Sequence, residues 1–341
     1  MLRLPVFSYR SPRTVREAAD MLAAAPTTAM LVAGGTDLLP NMKRRQQVPQ
    51  TLVGLRQIAE LKQISNGQGL TIGAGVTLAG LVNDPRVRGA YAGLWQAVAQ
   101  VATPHLRNMG TIGGNLCLDT RCNYYDQSYE WRKAIDFCMK KDGGTCWVAP
   151  SSPKCLAVSS TDSAPALMAL GASVTLVSAE GTRNLLVADL FQNDGIHYLT
   201  RRPTEILASI HVPARDGWRS TYWKLRRRGA FDFPVLSVAA AVRIAKDGTV
   251  EDARIVLGAV SSRPMDAPEA SLSLIGRNLS DAAIADASEL AAKPARPMDN
   301  TDFALVWRKR VTRDFVGYAL RELRGDDVRA LRRGIARHEL L

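Results

Sequence analysis

Apolar residues at Val15, Ala18, Ala19 and Leu22 recur at helical spacing. They follow Ser11 and Pro12, which suit an N-cap and a first helical position, so the pattern predicts a helix starting there. Residues 29–33 are continuously apolar and read as a short buried strand that ends at a glycine turn, Gly34-Gly35-Thr36-Asp37-Leu38. Residues 49–55 read as another strand, which makes 1–55 a small α/β unit.

A second unit, 56–216, opens with a glycine-punctuated strand at 70–75 and the middle of an amphipathic helix at 94–99. These lead to a second glycine turn, Thr111-Ile112-Gly113-Gly114-Asn115. A helix at 164–170, an alternating strand at 173–177 and a further segment at 205–213 complete it. From 217 to 325 the pattern changes to long alternating strands at 237–244 and 253–260, then helices at 281–293 and 302–323, an α+β arrangement. Residues 326–341, with Arg329, Arg332, Arg333 and Arg337, are expected to form an exposed helix or a disordered extension.

A length of 341 residues suits two or three domains, and an apolar fraction of 46% suits a globular protein. No apolar run reaches membrane-spanning length, and residues 1–7 lack the apolar stretch of a secretory signal. A soluble, cytoplasmic protein with no membrane partner is expected. The net charge of +12 is spread over short clusters at 43–45, 226–228 and 308–310. None interleaves with aromatics as a single-strand platform would, so no nucleic-acid partner is expected.

All five cysteines fall between Cys117 and Cys155. An odd count in a reducing compartment argues against a disulfide framework, and so tight a grouping points to a shared metal or cluster. Cys122, Cys138, Cys146 and Cys155 are separated by fifteen, seven and eight residues, which excludes paired C-x-x-C knuckles. With no histidine among them the site would be all-thiolate, and zinc and an iron-sulfur cluster both accept four thiolates. The two glycine turns have the chemistry of a pyrophosphate cradle, and together they suit a flavin or nicotinamide dinucleotide. They are not the G-x-G-x-x-G of a Rossmann fold. Asp162 could bond a ribose hydroxyl or cap a helix, and Lys224 could meet a cofactor or lie in solvent. Of the four histidines, His197 and His338 have no catalytic partner nearby in sequence, so no hydrolytic set is evident.

These motifs resemble the flavoprotein subunit of the molybdenum hydroxylase (xanthine dehydrogenase-like) family, from about Phe7 to Leu323. The resemblance implies a two-part FAD-binding domain of the vanillyl-alcohol-oxidase/PCMH type and a C-terminal α+β domain of the CO dehydrogenase flavoprotein type. It assigns the FAD pyrophosphate to Leu31, Val32, Ala33, Gly34, Gly35, Thr36, Asp37 and Leu38 in the first turn, and to Thr111, Ile112, Gly113, Gly114 and Asn115 in the second. Asp162, in a T/S-D-x-x-P turn with Pro165, and Lys224 match further cofactor positions, with Val101 and Ile206 as backbone or apolar flavin contacts.

Most members run from the G-G-N turn to the S-D-x-x-P turn in about a dozen residues, whereas nearly fifty separate Asn115 from Asp162 here. The inserted segment resembles the 4-hydroxybenzoyl-CoA reductase branch. By that resemblance, Cys122, Cys138, Cys146 and Cys155 ligate a 4Fe-4S cluster and Cys117 does not. The implied partners are a large molybdenum-cofactor subunit and a small 2Fe-2S subunit, in a heterohexamer of two heterotrimers, with ferredoxin as electron donor. The alternatives are the FAD subunit of a hydroxylase that oxidises its substrate, and a zinc-stabilised nucleic-acid-binding or scaffold protein.

Overall fold

The computed structural model describes residues 3–214, 216–229 and 231–337; His338 lies outside them. The first helix is Val15–Ala24, and its N-cap is Thr14 rather than the expected Ser11. The reason is local: Thr14 Oγ1 accepts from the Glu17 amide at 3.1 Å while the Glu17 carboxylate accepts from the Arg13 amide at 2.7 Å. Thr14-x-x-Glu17 is therefore a close variant of a capping box, which overrides the Ser-Pro signal. The helix lays Val15, Ala18, Ala19 and Leu22 into a small core with Val53 and Ile58. Beside it, Ser8–Arg10, Thr51–Gly54 and Ala29–Val32 form a three-stranded parallel sheet in that order.

A second sheet is antiparallel and five-stranded, in the order Ile64–Gly67, Gly69–Gly73, Ile206–Pro213, Ser173–Ser178, Gly181–Leu186. Its apolar residues Ile72, Val174 and Ile210 share a core with Leu94 and Val98 of helix Ala92–Ala99 and Leu167 of helix Ser163–Ala169.

The third sheet, also antiparallel, runs Met265–Asp266, Val250–Gly258, Leu236–Ile244, Trp218–Leu225. Both of its faces are covered. The small side chains Ala239 and Ala241 join the core of the second unit, whereas Val238, Ala240 and Val242 join a core with helices Asp281–Ala292 and Leu305–Arg324. Period-two alternation thus sends one strand's side chains into two cores, and the alanines let the helices of the second unit approach closely.

Residues 326–337 depart from the expected exposed tail. Helix Arg329–Ala336 packs Leu331 and Ile335 against the third core. The Arg332 guanidinium stacks 4.1 Å from the Trp223 ring centroid and pairs with Glu322 at 2.6 Å. The three arginines of the helix masked an amphipathic pattern, because one of them, Arg332, is a packing residue.

Candidate functional site

A cavity of about 610 Å³ lies between the first two sheets and the loop at 231–233 that joins two strands of the third. Residues 29–38 form one wall, with Thr111, Gly113, Gly114 and Asn115 facing them and Val101 and Asp162 alongside. The two turns touch: a Cβ at Gly34 would lie 1.9 Å from the Met109 carbonyl oxygen, so only glycine lets the backbones meet. Among the described residues, no acceptor pairs with the amides of Gly35, Thr36 or Asp37. They are free donors at the cavity, as an anionic group requires.

The second turn differs from the expected open cradle. It is a short helix, Ile112–Leu116, capped by Thr111, whose Oγ1 accepts from the Gly114 amide at 3.1 Å. The amides of Ile112 and Gly113 bond the carbonyls of Val76 and Ala74, and Ile112 is fully buried in the core. Asn115 has a locking role: its Oδ1 accepts from Thr161 Oγ1 at 2.9 Å and from the Ser163 hydroxyl and amide at 2.6 and 3.1 Å. That fixes the turn carrying Asp162.

Asp162 is 2% exposed. It accepts from Tyr222 Oη at 2.6 Å and from Lys224 Nζ at 3.0 Å. Burial is the largest influence on both partners, pushing the carboxyl up and the ammonium down, while their mutual attraction opposes each shift. Lys224 does not line the cavity; it also donates to the Gln100 carbonyl at 3.0 Å, and so reaches the cavity only through Asp162. The Ile206 side chain lies in the core under helix Val15–Ala24, and Leu207, on the opposite strand face, lines the cavity instead.

Several cavity residues escaped the sequence reading. Arg121 pairs with Asp37 and with Asp126 at 3.2 Å, and its Nε is buried without a partner. An unpaired guanidinium nitrogen on the cavity wall fits a ligand oxygen. Arg44, Tyr198, Arg201 and Phe233 also line the space. Nothing local marks them, since they arrive from distant segments.

The inserted segment closes where Arg121 and Val158 exchange backbone hydrogen bonds of 2.8 and 2.7 Å. Inside it, Cys122, Cys138, Cys146 and Cys155, each 5–7% exposed, surround a second, small void with Tyr125, Lys140 and Trp147. Cys117 is elsewhere, on the wall of the large cavity. Among the described residues, no three His, Cys, Asp or Glu side chains gather as ligands of one metal ion. The four thiols instead line a common space. Burial raises Cys122 to about 12 and Cys155 to about 11, and neighbouring cysteines add to both shifts. As thiolates they would need compensating positive charge at the centre.

Residues 5–215 match the FAD binding domain in molybdopterin dehydrogenase, and 220–323 match the CO dehydrogenase flavoprotein C-terminal domain. The chain belongs to the FAD-binding medium subunits of the molybdenum hydroxylase family. This medium subunit is 32% identical to the aldehyde oxidoreductase FAD-binding subunit PaoB of Escherichia coli, over 90% of this chain and 96% of the relative. It is 29% identical to the carbon monoxide dehydrogenase medium chain of Afipia carboxidovorans, over 85% and 87%. The solved CO dehydrogenase of Oligotropha carboxidovorans superposes with a TM-score of 0.78 at 25% identity, covering 94% of this chain and 99% of that one. This chain is thus an FAD-binding subunit, and the alternative of a nucleic-acid-binding or scaffold protein gives way. No helix of the described residues is long and apolar enough to cross a membrane.

Proposed function

We propose that this medium subunit is the electron-input subunit of a molybdenum enzyme of the 4-hydroxybenzoyl-CoA reductase type, with a 4Fe-4S cluster on Cys122, Cys138, Cys146 and Cys155. The observation that carries the reading is the arrangement of these four thiols around one void, with the fifth outside it. The void adjoins the FAD cavity: Asp119 and Tyr198 line the cavity, and both meet Lys140, which lines the void.

When bound, FAD exchanges electrons singly or in pairs and an iron-sulfur cluster exchanges them singly. The residues here bind, orient and exclude water. The free amides of Gly35, Thr36 and Asp37 and the Arg121 guanidinium would hold the FAD pyrophosphate, with Thr111, Gly113, Gly114 and Asn115 opposite. Asp162, held by Lys224 and Tyr222, is placed to accept a hydrogen bond from FAD, and Val101 and Leu207 supply apolar contact. Residues Leu31, Val32, Ala33, Gly34 and Leu38 shape the wall beneath it.

The proposed partners are a large subunit with the molybdenum cofactor and a small one with 2Fe-2S centres, two such trimers forming a heterohexamer. The overall reaction takes 4-hydroxybenzoyl-CoA, two electrons from reduced ferredoxin and two protons to benzoyl-CoA and water. The test is an anaerobic assay of the purified complex with reduced ferredoxin. Benzoyl-CoA formation is expected; its absence, with substrate-dependent reduction of an artificial acceptor, would instead establish an oxidising hydroxylase. The names of relatives such as aldehyde oxidoreductase and carbon monoxide dehydrogenase favour that second reading.

A further inference from the structure

The partition between the FAD cavity and the cysteine void contains a buried charge pair. Lys140 Nζ is 2.8 Å from Asp119 Oδ1, with side chains only 6% and 5% exposed. The ammonium also donates to Thr120 Oγ1 at 2.8 Å and to the Gly195 carbonyl at 2.6 Å. It lies 4.8 Å from the Tyr125 ring centroid and 5.3 Å from that of Tyr198. Tyr125 in turn donates its hydroxyl to Asp119 Oδ2 at 2.9 Å. Lys140 lines the cysteine void and Asp119 the FAD cavity, so the pair spans the wall between the two spaces.

Gly195 ties this wall to the thiols. Its amide donates to the Cys155 carbonyl at 2.9 Å, and a Cβ there would lie 2.6 Å from Cys155 Sγ. The carbonyl that anchors Lys140 therefore belongs to a residue packed on a proposed ligand.

We propose that Lys140 is a positioning residue that supplies a fixed buried cation to the cysteine site, raising its reduction potential, while Asp119 opposes it from the flavin side. The proposal rests on the cluster assignment above. Four thiolates and an iron-sulfide core carry net negative charge that grows on reduction, and net charge is one of the factors that set such potentials. A cation one residue layer away, screened little by water, favours the reduced form. Lys154, which donates to the Asn193 carbonyl at an exposed position, provides a control.

The test is an EPR-monitored redox titration of the anaerobically purified complex as wild type and as Lys140→Met, Lys140→Arg, Asp119→Asn and Lys154→Met, with iron and sulfide counted in each. Lys140→Met is expected to shift the cluster midpoint to a more negative value and Asp119→Asn to a more positive one. Lys140→Arg and Lys154→Met should stay near wild type. If Lys140→Met fails to hold its iron, the upward shift in Asp119→Asn against an unshifted Lys140→Arg still decides. Shifts in the same direction for Lys140→Met and Asp119→Asn, or none, would overturn the proposal and leave the cluster assignment standing. A wild-type complex whose iron and sulfide are fully accounted for by the small subunit's 2Fe-2S centres would remove both.

Discussion

Gly34 and Lys224 show how single residues hold the FAD site together in two different ways. At Gly34 the constraint is space, because the Met109 carbonyl occupies the position of any Cβ. Gly34→Ala is expected to separate the two turns, to destabilise by about 1–3 kcal/mol as overpacking does, and to yield protein depleted of FAD on gel filtration. At Lys224 the constraint is charge. Removing one member of a buried pair costs about 3–5 kcal/mol, whereas replacing both can be nearly neutral. Urea unfolding should therefore find Lys224→Met severely destabilised and the double variant Asp162→Asn/Lys224→Met substantially recovered. If the double variant falls as far as the sum of the two singles, the pair is not coupled in the way the 3.0 Å contact implies.

The elements were legible from the sequence to different degrees. Strands such as Ala29–Val32 and Ser173–Ser178 stood out because a buried strand is written in a few consecutive apolar or alternating residues. For helix Arg329–Ala336 only the packing was hidden, because the contact of Arg332 with Trp223 joins positions far apart in the chain. Arg332→Ala is expected to cost about 1–2 kcal/mol, from a lost cation-π contact and ion pair, read as a lower melting temperature with FAD content unchanged. In the cysteine segment the spacing showed the concentration of thiols, and only the family resemblance separated Cys117 from the other four. Folding places Cys117 at the FAD cavity and the other four around a separate void. Serine at 122, 138, 146 or 155 should therefore lower the iron content, and Cys117→Ser should leave iron intact while changing the flavin absorption band. Full iron retention in Cys138→Ser would refute the ligand set.

At the scale of the whole molecule, two motifs read from short runs of residues become one site only because two sheets and a loop of the third unit converge on it. The glycine turns announced a dinucleotide, but the residues that complete the cavity, Arg121, Tyr198 and Phe233 among them, come from segments with no local signature. Family membership accounts for the FAD cavity and the C-terminal domain. The central claim is that the insertion places an iron-sulfur cluster beside the flavin. Its most direct test is metal, sulfide and flavin analysis of the anaerobically purified chain with its absorption spectrum. The account expects about four iron and four sulfide per FAD, as a 4Fe-4S cluster requires. Stoichiometric zinc, or FAD with neither iron nor sulfide, would contradict it.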